Sequence, residues 1–442
     1  MTALAPSAPP AAATSLQRSF LHVDLDCFFV SVERLLDPRL AQRPVIVGGD
    51  PERRGVVTSA SHEVRQHGIH AGMPTAVAQR LCPDAVFLPG RLRIYGRISS
   101  AVHGILLEHA PWVEKASIDE AYLDVTDQVA EGRSAIDLAA RLQDDLEDRL
   151  GLPCSVGIGS NVTVAKIACG QAKPEGLLEI WPGYEQAFLA PLEVDELPGV
   201  GGVMAEQLRL FGLNTVGDVA RVEPRLLEDC FGMSGRQLAS TARGEGRDRL
   251  HLDRDPKSLA HERTFPQDVN DPERLMKVLG VLSKSLASRA RSRRVKAGAI
   301  SLKLRTDDFR TRTKTQSLSS PTDSASEIEG VATFLLRSLR ERNARPVRLL
   351  GIGLHRLNAG PSQQPLFPAV DPEKEQALPA QASLQADSAE GRGLRPRAVM
   401  PQSLESGAIR ATGQWSFGAE KESPAVRRLR ALSRLKRDGE RQ

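Results

Sequence analysis

The 442-residue chain has few cysteines and none of them paired in sequence. Cys27, Cys82, Cys154, Cys169 and Cys230 are odd in number, irregularly spaced and without a CxxC motif. That argues against zinc ribbons and a disulfide framework and points to a reducing compartment, the cytoplasm. Long apolar runs are also missing: no stretch approaches the ~18 residues of a membrane-spanning helix, so no membrane partner is expected. Residues 1–17 are rich in Ala and Pro. They lack the basic start and apolar block of a signal peptide, and read as a floppy leader. A dominant charge is absent too: 59 Lys+Arg against 55 Asp+Glu leave a net +4, so any charged partner must be sought in local clusters. With 40% hydrophobic and 26% charged residues the composition is that of a globular protein. The length exceeds what one compact core serves, and about two to four domains are expected.

Periodicity divides the chain. Ser19–Asp26 alternates apolar and polar residues and reads as a strand, followed by helical spacing over Cys27–Leu36. Pro44–Gly48 is a short buried strand, Val56–Arg65 passes from strand into helix, and Gly72–Pro83 is a helix bounded by proline. Arg91–Ala110 is a long amphipathic helix. Strands near Val113–Ser117 and Ala121–Val125 flank an acidic turn, and the Asp137–Arg149 helix leads to the Cys154–Gly159 strand. The order βαββαβ, with residues 28–90 inserted after the first strand, predicts a ferredoxin-like layer built from residues 18–27 and 91–181. Residues 182–246 read as a small helical domain and the charged 247–257 as a linker. Residues 258–357 form a second, smaller α/β domain, and 358–442 a disordered tail rich in Pro, Gln, Ser and Ala. The fold class expected is α+β, multidomain.

Asp24-Leu25-Asp26 closes the first strand, and Asp119-Glu120 occupies the turn between two later ones. In a ferredoxin-like sheet those strands are neighbours, so distant acids can meet at one edge. Asp24 and Asp26 are read as facing opposite ways, with Asp24 the ligand and Asp26 in support. Carboxylates converging without His or Cys call for a hard cation, Mg²⁺ or Mn²⁺. Two such ions roughly 3.5–4 Å apart would activate a 3′-hydroxyl and steady a leaving pyrophosphate. On these residues alone, solvated strand ends remain the alternative.

HVDLDCFFVSVE, VVTSASHEVRQHGIHAGMP and SIDEAYLDVT, in this order, resemble the Y-family translesion DNA polymerases, in particular the polymerase IV branch. The resemblance runs from about Leu21 to Leu357. It implies a right hand: a ferredoxin-like palm (18–27 and 91–181), small fingers (28–90), a helix-hairpin-helix thumb (182–246) and a DNA-gripping little finger (258–357). By motif it implies that Asp24, Asp119 and Glu120 are catalytic and, with the Leu25 carbonyl, hold two Mg²⁺ ions. Phe29 corresponds to the steric gate that rejects a ribose 2′-hydroxyl, while Phe28 suits the core. Cys27 and Phe28 would offer backbone N–H groups to phosphate at the helix start, and Ser59, Arg65 and Lys173 match triphosphate contacts. Two departures stand out. His62 replaces the usual Tyr of the phosphate-contacting segment, which would make dNTP binding sensitive to pH. No basic residue precedes Lys166 in SNVTVAK, where the family often carries one.

Three further segments suit DNA work. Gly199 and Gly201 in LPGVG resemble a helix-hairpin-helix turn that binds phosphate through backbone N–H groups. Residues 284–314 hold eleven basic residues against two acidic, and Lys303 and Arg305 alternate with apolar residues, giving one basic strand face. Gln363, Leu366 and Phe367 belong to a QQPLF segment similar to the peptide that bacterial polymerases insert into the sliding clamp. The basic stretch 425–437 reads as a solvated charge run. The resemblance therefore implies an error-prone polymerase extending primer-template DNA with dNTPs, monomeric, cytoplasmic at the nucleoid, and without a proofreading domain. The rival is a catalytically dead scaffold binding DNA and the clamp; such relatives lose the acids that this chain keeps.

Overall fold

The computed structural model of the chain describes residues 17–252, 255–341 and 345–359. The Gln363–Phe367 peptide, the 425–437 stretch and residues 1–16 lie outside them.

β1 (Phe20–Leu25) leads into α1 (Phe28–Leu36). An inserted unit follows: β2 (Val45–Gly48), β3 (Val57–Ala60), α2 (His62–Arg65), α3 (Thr75–Leu81) and β4 (Val86–Leu88). The chain returns through α4 (Leu92–His109), β5 (Trp112–Lys115), β6 (Glu120–Asp124), α5 (Thr126–Ala130), α6 (Ala135–Leu150), β7 (Cys154–Gly159), α7 (Val162–Ala172) and β8 (Leu177–Glu179). These strands make a five-stranded sheet in the order β5-β6-β1-β7-β8, with β1 central and antiparallel to both β6 and β7. The inserted unit carries its own three-stranded sheet, β3-β2-β4.

Alternation along β1 sorts the two faces of the large sheet. Leu21, Val23 and Leu25 enter a core with Leu138, Leu142 and Leu146 of α6 and Val102, Ile105 and Leu106 of α4. Phe20 joins Val162 and Ala165 of α7 on the other side. Gly157 decides how closely α7 approaches: a Cβ there would stand 2.1 Å from both the Ala165 carbonyl oxygen and the Cys169 nitrogen. Asn161 caps α7 by accepting from Thr163 and Val164 N–H at 3.1 and 3.0 Å, and Ser134 caps α6 in the same way.

The helical unit comprises α8 (Glu185–Leu189), α9 (Gly202–Leu210), α10 (Val216–Ala220), α11 (Pro224–Phe231) and α12 (Met233–Ala242). Its core takes in Val164, Ile167 and Ala168, so α7 serves both sheet and helices. The charged segment beyond is no free tether at its start. Arg247 reaches buried Glu114 at 2.5 Å, and the His251 N–H donates to the same carboxylate at 2.8 Å. The last unit, β9 (Ser258–Val269), α13 (Pro272–Ser292), β10 (Val295–Thr306), β11 (Thr311–Thr322), α14 (Ala325–Glu341) and β12 (Val347–Ala359), repeats βαββαβ with strand order β11-β10-β12-β9. Both helices pack on one face of that sheet. Among the described residues, no helix is long and apolar enough to cross a membrane.

Candidate active site

Asp24 on β1 and Glu120 at the start of β6 are direct cross-strand partners, and the Leu25 N–H donates to the Asp119 carbonyl at 3.0 Å. Asp24 thus shares one edge of the sheet with two adjacent acids from far along the chain. Ser117 shapes the turn that presents two of them: its hydroxyl oxygen accepts from the Asp119 and Glu120 N–H groups at 3.2 and 2.9 Å, and its proton goes to the Asp119 carboxylate.

Each of the two strand-borne acids meets a lysine from α7 or its end. Lys173 Nζ lies 2.6 Å from Asp24 Oδ1, and Lys166 Nζ 2.7 Å from Glu120 Oε2. Burial pushes the Asp24 carboxyl above its usual range, opposed by Lys173. His22 and, against burial, Lys166 hold the Glu120 carboxyl down at about 2. The His22 Nε2 is 3.7 Å from Glu120 Oε2, beyond hydrogen-bond reach, and burial favours the neutral imidazole. Lys166 is therefore the partner that the geometry supports.

Asp24 and Asp26 do not face opposite ways, which corrects the reading from sequence. Side chains two apart on a strand share a face, and the chain turns at Asp26; both carboxylates approach Lys173, at 2.6 and 3.9 Å. Asp26 is 2% exposed and accepts from the Ser155 hydroxyl and the Glu175 N–H, both at 2.8 Å. Its support is structural.

The donor set suits a hard divalent cation: oxygen atoms only, gathered where burial disfavours an uncompensated carboxylate. Among the described residues no three His, Cys, Asp or Glu side chains stand close enough to hold an ion as they are. The lysines supply the positive charge, so metal binding here means exchanging ammonium contacts for a cation.

Cys27, with a left-handed backbone (φ 46°), caps α1. Burial pushes its thiol up, and the charges of Arg65 and Lys173 oppose the shift. Arg65 is exposed and donates through Nε to the Ala60 carbonyl at 2.9 Å; Ser59 is buried on β3, and His62 opens α2. Phe28 is buried in the core, whereas Phe29 is half-buried and stacks on Tyr95, with centroids 4.3 Å apart and planes at 15°.

Gly199 has φ 92° and Gly201 caps α9; space around both is open, as a backbone meant to approach another molecule requires. On the last sheet Lys303 faces Glu262 at 3.0 Å, and Arg305 donates to the Thr311 hydroxyl at 2.7 Å. The basic face therefore includes an acid that sequence reading left out. Lys166, Ser117, Glu33, Arg91 and Tyr95 were missed as well. The available signals were the SIDE turn, which begins with Ser117, and the spacing of Phe29 and Glu33 one helical turn apart.

The impB/mucB/samB family pattern matches residues 23–170, its C-terminal domain residues 256–366, and the IMS family HHH motif residues 182–213. A DNA polymerase IV from Dehalococcoides mccartyi is 39% identical over 78% of this chain and 89% of its own length. One from Alkalilimnicola ehrlichii is 40% identical over 76% and 94%. Among solved structures, a Y-family DNA polymerase chimera of Dbh and Dpo4 superposes with TM-score 0.70 at 29% identity, covering 77% of this chain and 100% of that one.

Proposed function

Because the chain belongs to the impB/mucB/samB family, the Y-family polymerases, in its DNA polymerase IV branch, we propose that it is an error-prone, template-directed DNA polymerase for translesion synthesis. It would add dNTPs to a primer 3′-hydroxyl without proofreading. The observation that carries this reading is the register bringing Asp24 opposite Glu120 with Asp119 bonded alongside. Asp24, Asp119, Glu120 and the Leu25 carbonyl would hold two Mg²⁺ ions, replaceable by Mn²⁺; when bound, these supply activation of the attacking hydroxyl and charge neutralisation on the leaving pyrophosphate.

The chain's own residues do the positioning. Arg65, Lys173 and Ser59, with the backbone at Cys27 and Phe28 and the ring of His62, orient the triphosphate. Lys173 is well placed to pass from Asp24 to a phosphate once a cation takes its place. The half-buried face of Phe29 closes the space where a ribose 2′-hydroxyl would sit. We assign the palm to residues 18–27 and 91–181, the fingers to 28–90, the thumb to 182–246 and the little finger to 258–357. DNA would be held by the Gly199–Gly201 turn and the Lys303 and Arg305 face, through sequence-blind phosphate contacts. Gln363, Leu366 and Phe367 would engage the sliding clamp.

Primer extension by the full chain with four dNTPs and Mg²⁺ tests the reading. Wild type should synthesise DNA and stop when the metal is chelated. Asp119→Ala should lose on the order of 10²–10³-fold or more in rate. A wild-type protein that binds primer-template but adds no nucleotide would overturn it.

A further inference from the structure

Behind Phe29 lies a group of side chains that the chemistry above does not use. Tyr95 is fully buried, and its hydroxyl donates to Glu33 Oε1 at 2.5 Å. Glu33 is 1% exposed; Arg91 Nε donates to the same oxygen at 2.9 Å, and an Arg91 Nη also meets the other carboxylate oxygen. Phe29 and Glu33 are one turn apart on α1, while Arg91 and Tyr95 are one turn apart at the start of α4. The four side chains close a ring: Phe29 stacks on Tyr95, Tyr95 bonds Glu33, Arg91 grips Glu33, and two helical turns complete the circuit.

This arrangement fixes an orientation more than it adds stability. A buried carboxylate gripped by a guanidinium gains little net free energy over an apolar replacement. What it does here is determine the plane of the Tyr95 ring, because the phenol is bonded at one end and packed edge-on by Phe28 at 6.3 Å. The Phe29 ring lies within 15° of that plane. A wall that must reject one extra oxygen atom fails if it can tilt by a fraction of an ångström, so its discrimination depends on the stiffness of what stands behind it.

We propose that Glu33, held by Arg91 and bonded to Tyr95, is a positioning residue that locks the Phe29 ring and thereby sets discrimination between deoxy- and ribonucleotides. This rests on the polymerase reading and on Phe29 as the gate. The test is single-nucleotide insertion by the full chain with dCTP and CTP opposite template dG, measuring kcat and KM for each. Variants are Glu33→Gln, Tyr95→Phe and Phe29→Ala, with each single variant also combined with Phe29→Ala. Tyr95→Phe keeps the ring and its packing and removes only the hydroxyl, so it reports even where a Glu33 variant folds poorly. Expected is a loss of roughly tenfold in dCTP-over-CTP selectivity for Glu33→Gln and Tyr95→Phe, through a lower KM for CTP. In the Phe29→Ala background neither change should alter selectivity further.

Selectivity within about twofold of wild type in Tyr95→Phe, while Phe29→Ala abolishes it, would overturn the proposal and leave the gate intact. An undiminished effect of Tyr95→Phe in the Phe29→Ala background would overturn it too. Absence of dCTP insertion by wild type would instead sink the polymerase reading, and retained selectivity in Phe29→Ala would sink the gate assignment on which the proposal stands.

Discussion

Asp26 shows how a residue beside the proposed metal ligands acts through its neighbours. Its buried carboxylate accepts from the Ser155 hydroxyl and the Glu175 N–H, tying β7 to the segment after Lys173. Asp26→Ala orphans both donors, at about 1–3 kcal/mol for each buried group left unpaired. The urea midpoint of the metal-free protein should fall clearly, and less for Asp26→Asn, which keeps an acceptor oxygen; an Ala variant as stable as wild type would refute this. Glu33 predicts a pH effect. Burial pushes its carboxyl up, but Arg91 and Tyr95 outweigh burial and hold it below the ordinary value of 4.5. A carboxyl depressed in the folded state stabilises fully above its unfolded value, and that contribution is lost as pH falls through the folded one. The stability gap between wild type and Glu33→Gln, measured by urea unfolding, should be widest near neutrality and shrink below about pH 4. A gap that widened on acidification would contradict the assignment.

Elements set the limits of what the sequence made legible. Strict alternation exposed β1, β10 and β12, and a turn with adjacent acids placed Asp119 and Glu120, because both signals are local. Alternation also carries the information that Asp24 and Asp26 share a side, since residues two apart on a strand point the same way. The bonds Lys166–Glu120, Arg91–Glu33 and Tyr95–Glu33 join residues 46, 58 and 62 apart. No period within one element announces such pairs; only the packing of α7 on β7 and of α4 beside α1 creates them. For α7 that packing depends on Gly157. Gly157→Ala drives a Cβ into backbone and should cost about 1–3 kcal/mol or more. Because α7 carries Lys166 and leads to Lys173, primer extension should fall alongside the melting temperature. Normal stability and activity in this variant would show that α7 can lift without consequence. On the last sheet, Glu262 pairs with Lys303, so under the proposed role of Lys303 it would compete with DNA phosphate for that ammonium. Glu262→Gln should tighten primer-template binding, whereas Lys303→Ala should weaken it and flatten the dependence of log K on log salt by about 0.9. Fluorescence anisotropy across a salt series reads both; an unchanged slope for Lys303→Ala would remove that residue from the interface.

At the scale of the molecule, Arg54 bridges two sheets that share no strand. Arg54, in the loop between β2 and β3, places Nη1 2.5 Å from Asp268 Oδ1 and donates to the Phe265 carbonyl at 3.2 Å, both on β9. Both charged side chains are about one-quarter exposed. A pair so placed is worth no more than about 1 kcal/mol and is screened by salt. This bridge between the inserted unit and the C-terminal sheet is therefore a weak one, as the proposed grip on a duplex would require. Arg54 holds the Asp268 carboxyl below its ordinary value, so the pair persists at neutral pH and is lost only as pH falls below the usual carboxylate range. Arg54→Ala, or Asp268→Asn, should increase the radius of gyration of the DNA-free protein in small-angle scattering at low salt. High salt should expand wild type towards the same value and leave the variants unchanged, since the interaction it screens is already gone. Neither variant should shift the melting temperature much, because each keeps the apolar side chains of both cores. Identical scattering from wild type and Arg54→Ala at low salt would mean that other contacts hold the units together.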